Sequence, residues 1–266
     1  MVSAASLAVM VFGGVFILAM VIILAVFFRK KYQTKLSAFF IGAATFFVFA
    51  LVLEQIMHWI ILFQSPAGEK IQNNIWLYAL YGGSAAGIFE ECGRLVSMKF
   101  LMKKHRDNDY NGLMYGAGHG GCEALLVAGL SMATNFIYSI LINLGQESML
   151  TSQVPAEQKE TVTAALTQLK EASPALFLAV PIERVSAVIT HIALSALVWI
   201  AVTRKKTLLF PLAIFLHALL DAVCVLLKDN LNIFLLEGII FAMSAAFALL
   251  ARVIWKKNVV PAANDA

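Results

Sequence analysis

Seven stretches of this chain are apolar for about 20 residues or more, and this constrains the fold more than any other feature. A bilayer core supplies no water to backbone N–H and C=O groups, so only helices and closed barrels cross it. Runs of this length point to helices, because a barrel strand needs only about 9–11 residues. Composition agrees: 61% of residues are hydrophobic, 14% are charged, and the mean hydropathy is +0.82. Soluble domains average about 45–50% apolar and about 25% charged. The sequence predicts an all-α, polytopic transmembrane bundle forming a single domain over residues 1–266. The spans fall at roughly 5–28, 36–63, 75–101, 111–144, 174–202, 208–227 and 233–254.

Charge orients the spans. Arg29, Lys30, Lys31 and Lys35 follow the first, Lys103, Lys104 and Arg106 the third, and Arg204, Lys205 and Lys206 the fifth. Arg252, Lys256 and Lys257 mark the C-terminal end, whereas the alternate connections carry only Lys70, Lys159, Lys170 and Lys228. The positive-inside rule then places the N-terminus outside and the C-terminus in the cytoplasm. The net charge of +4 reflects these loops rather than nucleic-acid binding. The first span has no preceding basic residue and is too long for a cleaved signal, so it is expected to remain. Cys92, Cys122 and Cys224 lie in apolar segments without a CxxC pattern, so no disulfide framework is expected.

The fourth span contains Gly112, Gly116, Gly118, Gly120 and Gly121, which predicts a kink or a close backbone approach near Gly118–Gly121. The extracytoplasmic loop 145–173 follows, with a short polar helix from Pro155 to Ala172 and a stripe of Val162, Leu166 and Leu169.

Ionisable residues interrupt the apolar runs. An intramembrane charge costs several kcal/mol and is a functional-site hypothesis by default. Counting about 1.5 Å per residue from the predicted cytoplasmic ends puts Glu90, Glu91, His119, Glu123, His191, His217 and Asp221 about 12–20 Å deep. Four helices of both directions thus contribute to one layer. His119 and Glu123 share a helix face at i, i+4, as do His217 and Asp221, a spacing that suits two ligands or a ligand and its orienting carboxylate. Glu90 and Glu91 project about 100° apart, and Glu90 shares a face with Arg94. Imidazole and carboxylate together are the groups of a divalent metal site with a general base. Glu54, His58, Glu183 and Arg184 count to the outer half, outside the layer, with Glu54 expected to pair Arg184, and His105 lies in a loop.

The segment Glu90-Glu91-Cys92-Gly93-Arg94 resembles the EExxR motif of membrane-embedded metalloproteases related to CAAX prenyl proteases, bacteriocin-processing enzymes and PrsW-type proteases. With Gly118-His119-Gly120-Gly121-Cys122-Glu123-Ala124, Glu183-Arg184 before His191, and His217-Ala218-Leu219-Leu220-Asp221, the chain is most similar to the YhfC-like branch. The resemblance covers roughly residues 75–225. It implies a helical bundle in which a glutamate activates water on a metal, zinc by analogy, or beside histidines. The CAAX-protease pattern is EExxxR, FxxxH and HxxxN. Here the arginine comes one residue earlier, His119xxxGlu123 replaces the second element and Asp221 stands for the asparagine, so prenylated substrates are not implied.

The expected activity is metal-dependent hydrolysis of peptide bonds in membrane-associated proteins or peptides, in a bacterial cytoplasmic membrane. His119, Glu123, His191 and His217 are the candidate metal ligands for Zn²⁺. Glu90, Glu91, Arg94 and Asp221 are the candidate catalytic residues, with the base open between Glu90 and Glu91. A proton- or ion-coupled transporter would also place acids and histidines at mid-depth, and a non-catalytic scaffold subunit is the third possibility. Membrane lipids and a membrane-anchored substrate are the expected partners.

Overall fold

The apolar runs are helical throughout in a computed structural model describing residues 1–152 and 154–259, and the described residues contain no strand. In chain order the helices are α1 (Ala4–Tyr32), α2 (Leu36–Gln64), α3 (Ala67–Gln72), α4 (Ile75–Phe100) and α5 (Asn111–Asn143). They continue as α6 (Glu147–Thr151), α7 (Lys159–Glu171), α8 (Pro174–Thr203), α9 (Leu209–Leu227) and α10 (Ile233–Asn258). Among the described residues, six helices are long and apolar enough to cross a membrane: α1, α2, α5, α8, α9 and α10. Helix α4, expected as a seventh span, has 26 residues, but its C-terminal half carries Glu90, Glu91, Arg94 and Lys99. Two of the long helices change their winding. Helix α2 has π turns at Phe49–Glu54 and Trp59–Gln64, and α5 has one at Ala124–Gly129.

The chain gathers into two compact units, one of Met1–Met20 with Ala124–Arg184 and one of Val21–Glu123 with Val185 onward. In the first, Val2, Met10, Met132, Ile142, Leu166, Leu169 and Phe177 form the core. The polar helix expected between Pro155 and Ala172 is α7, and it turns Leu166 and Leu169 inward. The backbone of Val2 is held in both directions by Asn143, at 2.7 and 2.9 Å.

In the second unit glycine sets the spacing of the helices. A Cβ on Gly42 of α2 would lie 2.1 Å from the Tyr115 carbonyl oxygen, and one on Gly118 of α5 would lie 1.9 Å from that of Phe39. The expected close approach on α5 is therefore present, although the change of winding falls later, at 124–129. Gly83 and Gly87 admit α9 to α4 in the same way, with the carbonyl oxygens of Ala218 and Ile214 at 2.4 and 2.8 Å from their added Cβ positions. Without a hydrophobic drive between helices in lipid, such contacts supply van der Waals packing. Trp199, Tyr115, Met98 and Leu194 are fully buried at the centre.

The 101–110 connection is tied down by polar contacts. Asn111 accepts from the Lys35 amide (2.7 Å) and donates to the His105 carbonyl (2.8 Å). Lys35 Nζ meets Asp107 at 2.6 Å, and this hydrogen bond holds the Asp107 carboxyl below its ordinary pKa. Burial pushes the His105 pKa down, and the charge of Lys35 adds to this.

Candidate functional site

The close helix packing delivers its polar residues to one place. The seven residues of the predicted layer, with Arg94, fall on α4, α5, α8 and α9, and all belong to the second unit. Glu90, Glu91, Arg94, His119, His191 and His217 are buried, while the side chains of Glu123 and Asp221 are 18% and 33% exposed. Those two are the site's most open carboxylates.

Two clusters meet at His191. In the first, Glu90 Oε2 lies 2.8 Å from His119 Nε2 and 3.9 Å from His191 Nδ1. His191 Nε2 lies 2.5 Å from Glu123 Oε2. Glu90, His119 and His191 each offer one ligand atom, and these atoms all lie within 4.8 Å of one another. In the second, Glu91 is shared between Arg94 Nε at 3.0 Å and His217 Nδ1 at 2.9 Å, and His217 Nε2 faces Asp221 Oδ2 at 3.6 Å. The i, i+4 pairing of His217 with Asp221 is thus present, whereas Glu123 faces His191 rather than His119 across one turn. The i, i+4 partnership of Glu90 with Arg94 gives way to an i, i+3 pair, because Glu91 is the glutamate that meets the guanidinium.

Arg94 joins the clusters. It donates through Nη1 to the His191 carbonyl (2.7 Å) and to Ser195 Oγ, and through Nη2 to His191 Nδ1 (3.1 Å). A guanidinium only donates, so Nδ1 accepts and a neutral His191 carries its proton on Nε2, facing Glu123. A neutral imidazole has one lone pair. Either nitrogen of His191 can therefore take an ion only when the Arg94 Nη2 contact gives way.

The donor set fits a divalent cation on two counts. Two imidazoles and a carboxylate are the types found in open catalytic zinc sites. Charge is the second: Glu90, Glu91, Glu123 and Asp221 are grouped around one guanidinium, Arg94, an excess of acid that a doubly charged ion offsets. In addition, His119 Nδ1 is buried with no hydrogen-bond partner among the described residues.

Sequence reasoning missed Glu54. It is 6% exposed and interacts electrostatically with Glu90, His217 and Asp221. Depth counting puts it in the outer half of the second span, about 18 residues in from Leu36; in the structure it ends a π turn. Its ion-pair partner is His58, with Oε1 3.1 Å from Nε2, rather than the expected Arg184, which pairs with the adjacent Glu183. The i, i+4 spacing of Glu54 and His58, the rule that picked out His217 and Asp221, was the available signal. Ser195 was missed as well, and a lone serine on an apolar helix gives no such signal.

Comparison with known proteins follows the same residues. Residues 15–240 match the family described as YhfC intramembrane metalloprotease. A Bacillus subtilis (strain 168) protein described as "Uncharacterized membrane protein YhfC" is 38% identical over 232 residues, covering 87% of this chain and 88% of that protein. No solved structure matches. The chain belongs to the YhfC intramembrane metalloprotease family.

Proposed function

We propose that this protein is an intramembrane, metal-dependent protease acting on membrane-anchored proteins or peptides. The observation that carries the reading is the buried Glu90–His119–His191 group, three ligand atoms within 4.8 Å of one another on three separate helices. His119 and His191, the imidazoles of that group, would hold the ion, zinc by the preference of imidazole donors, with Glu123 beside His191 Nε2. When bound there it supplies Lewis acidity and lowers the pKa of water to about 7.

The remaining roles follow from what each side chain touches. Both oxygens of Glu91 are engaged, by Arg94 and His217, so Glu91 positions these two and does not take protons. Glu90 borders the two imidazoles and takes the proton of the attacking water, then returns it to the leaving amine. His217, held as the imidazolium between Glu91 at Nδ1 and Asp221 at Nε2, donates a hydrogen bond through Nε2 to the carbonyl under attack. Arg94 pairs with Glu91 and, through Nη1, holds the His191 carbonyl, which keeps His191 in place when Nη2 releases its Nδ1. With α4 as a seventh crossing, the alternation of basic connections supports an N-terminus outside and a C-terminus in the cytoplasm of a bacterial cytoplasmic membrane.

Metal analysis of the purified protein after zinc loading tests the reading. About one equivalent is expected in the native chain, and His119→Ala and His191→Ala are expected to hold about a tenth of that or less. Equal metal content in the native chain and both variants would overturn it.

A further inference from the structure

We propose that the basic end of α4, α8 and α9 holds an anionic phospholipid headgroup, in a cavity separate from the polar layer. The cavity, about 560 Å³, is lined by Lys99, Lys103, Arg106 and Lys205 together with Phe100, Phe210 and neighbouring apolar residues. No carboxylate among the described residues lines it.

The local acids are already engaged. Asp107 pairs with Lys35, and Asp109 accepts from Trp199 Nε1 (2.8 Å) and Arg204 Nη2 (2.6 Å). Among the described residues, Lys99, Lys103 and Lys205 have no carboxylate partner. Arg106 is held in place by Nη2, 3.2 Å from the carbonyls of Met98 and Lys99 in the last turn of α4. Lys205, at φ 57°, occupies the left-handed position that follows a helix and that glycine adopts most easily, so a cation stands where no side chain is needed. Lys205 and Thr207 also border a second cavity, of about 570 Å³, which adds Lys206 and Lys257 to the same basic edge.

The apolar residues select a lipid rather than a free anion. Phe100 is 54% exposed, and Lys99 Nζ and Lys103 Nζ each lie 5.6 Å from its ring centroid. An exposed aromatic ring beside ammonium groups is the arrangement of a membrane–water boundary, with the ring toward acyl chains and the cations at phosphate level. Basic pockets between membrane helices recognise acidic headgroups in this way. The inference does not depend on the proposed hydrolysis.

The test uses the full chain, purified in neutral detergent, and measures lipid retention by native mass spectrometry with phosphatidylglycerol, phosphatidylcholine or inorganic phosphate added. The native chain is expected to retain phosphatidylglycerol at least about tenfold better than phosphatidylcholine. Lys99→Gln/Lys103→Gln/Lys205→Gln is expected to abolish that preference. Arg29→Gln/Lys30→Gln/Lys31→Gln, at the end of α1, should keep it. Lys103→Gln alone, at an exposed position, serves if the triple variant does not fold, with about a fivefold loss expected. An unchanged preference in the cavity variants, an equal loss in the α1 variant, or full displacement of the lipid by inorganic phosphate would each overturn the assignment.

Discussion

Glu90 and Glu91 are neighbours on α4, and the structure gives them opposite surroundings. Glu90 faces two imidazoles, one of which also meets Glu123, a partly exposed carboxylate. Glu91 is sealed between a guanidinium and a third imidazole, with no exposed side-chain surface. The rotation of about 100° per residue along a helix is enough to separate them. On the proposed function, one side of α4 serves the chemistry and the other holds it in place. The same two-residue motif thus serves both purposes, and composition alone could not divide it.

The division can be broken by substitution. Glu90→Gln is expected to lower hydrolysis of a membrane-anchored reporter by about a hundredfold or more while the protein stays folded and keeps its metal. If metal content falls with activity, Glu90 is a ligand rather than a base, and the two sides differ less than described here. Removing the guanidinium should act through stability instead. Arg94→Met leaves Glu91 buried without its cation, and a loss of about 3–5 kcal/mol is expected in denaturant unfolding. Pairing it with Glu91→Gln should recover part of that loss; no recovery would mean that the contacts to His191 and Ser195 matter more.

A smaller effect is expected outside the layer, where His105 supplies a control. Its pKa is lowered on folding, so the unfolded chain binds a proton first as the pH falls. The stability it contributes is present above the ordinary value of 6.5 and is lost as the pH falls below it. His105→Gln should therefore flatten the acid side of the melting-temperature profile and leave metal binding unchanged. A profile parallel to that of the native chain would remove His105 as the cause.

Much of this was legible in the residues. Apolar run length predicted a helical membrane protein, and depth counting grouped seven ionisable residues that the structure does bring together. The glycines of α5 signalled close approach, and Gly118 against Phe39 shows it. What stayed hidden depends on helix rotation and winding. Spacing could show that His119 and Glu123 share a face, but only the packing of α8 against α5 decides that Glu123 meets His191. Arg94 was expected beside a glutamate. Its contacts to His191 and Ser195 link residues 97 and 101 positions apart, and no local pattern encodes them.

The π turn at Phe49–Glu54 has a consequence for chain length. A π turn accommodates one residue more than the α turn it replaces. Deleting a single residue there should therefore restore α winding and leave both Gly42 seated against Tyr115 and Glu54 facing as it does now. A deletion in the regular α stretch between Gly42 and Phe49 would instead carry Glu54 about 100° around the helix axis, so the position of a one-residue change decides which way this carboxylate faces, with no change in any residue of the layer itself.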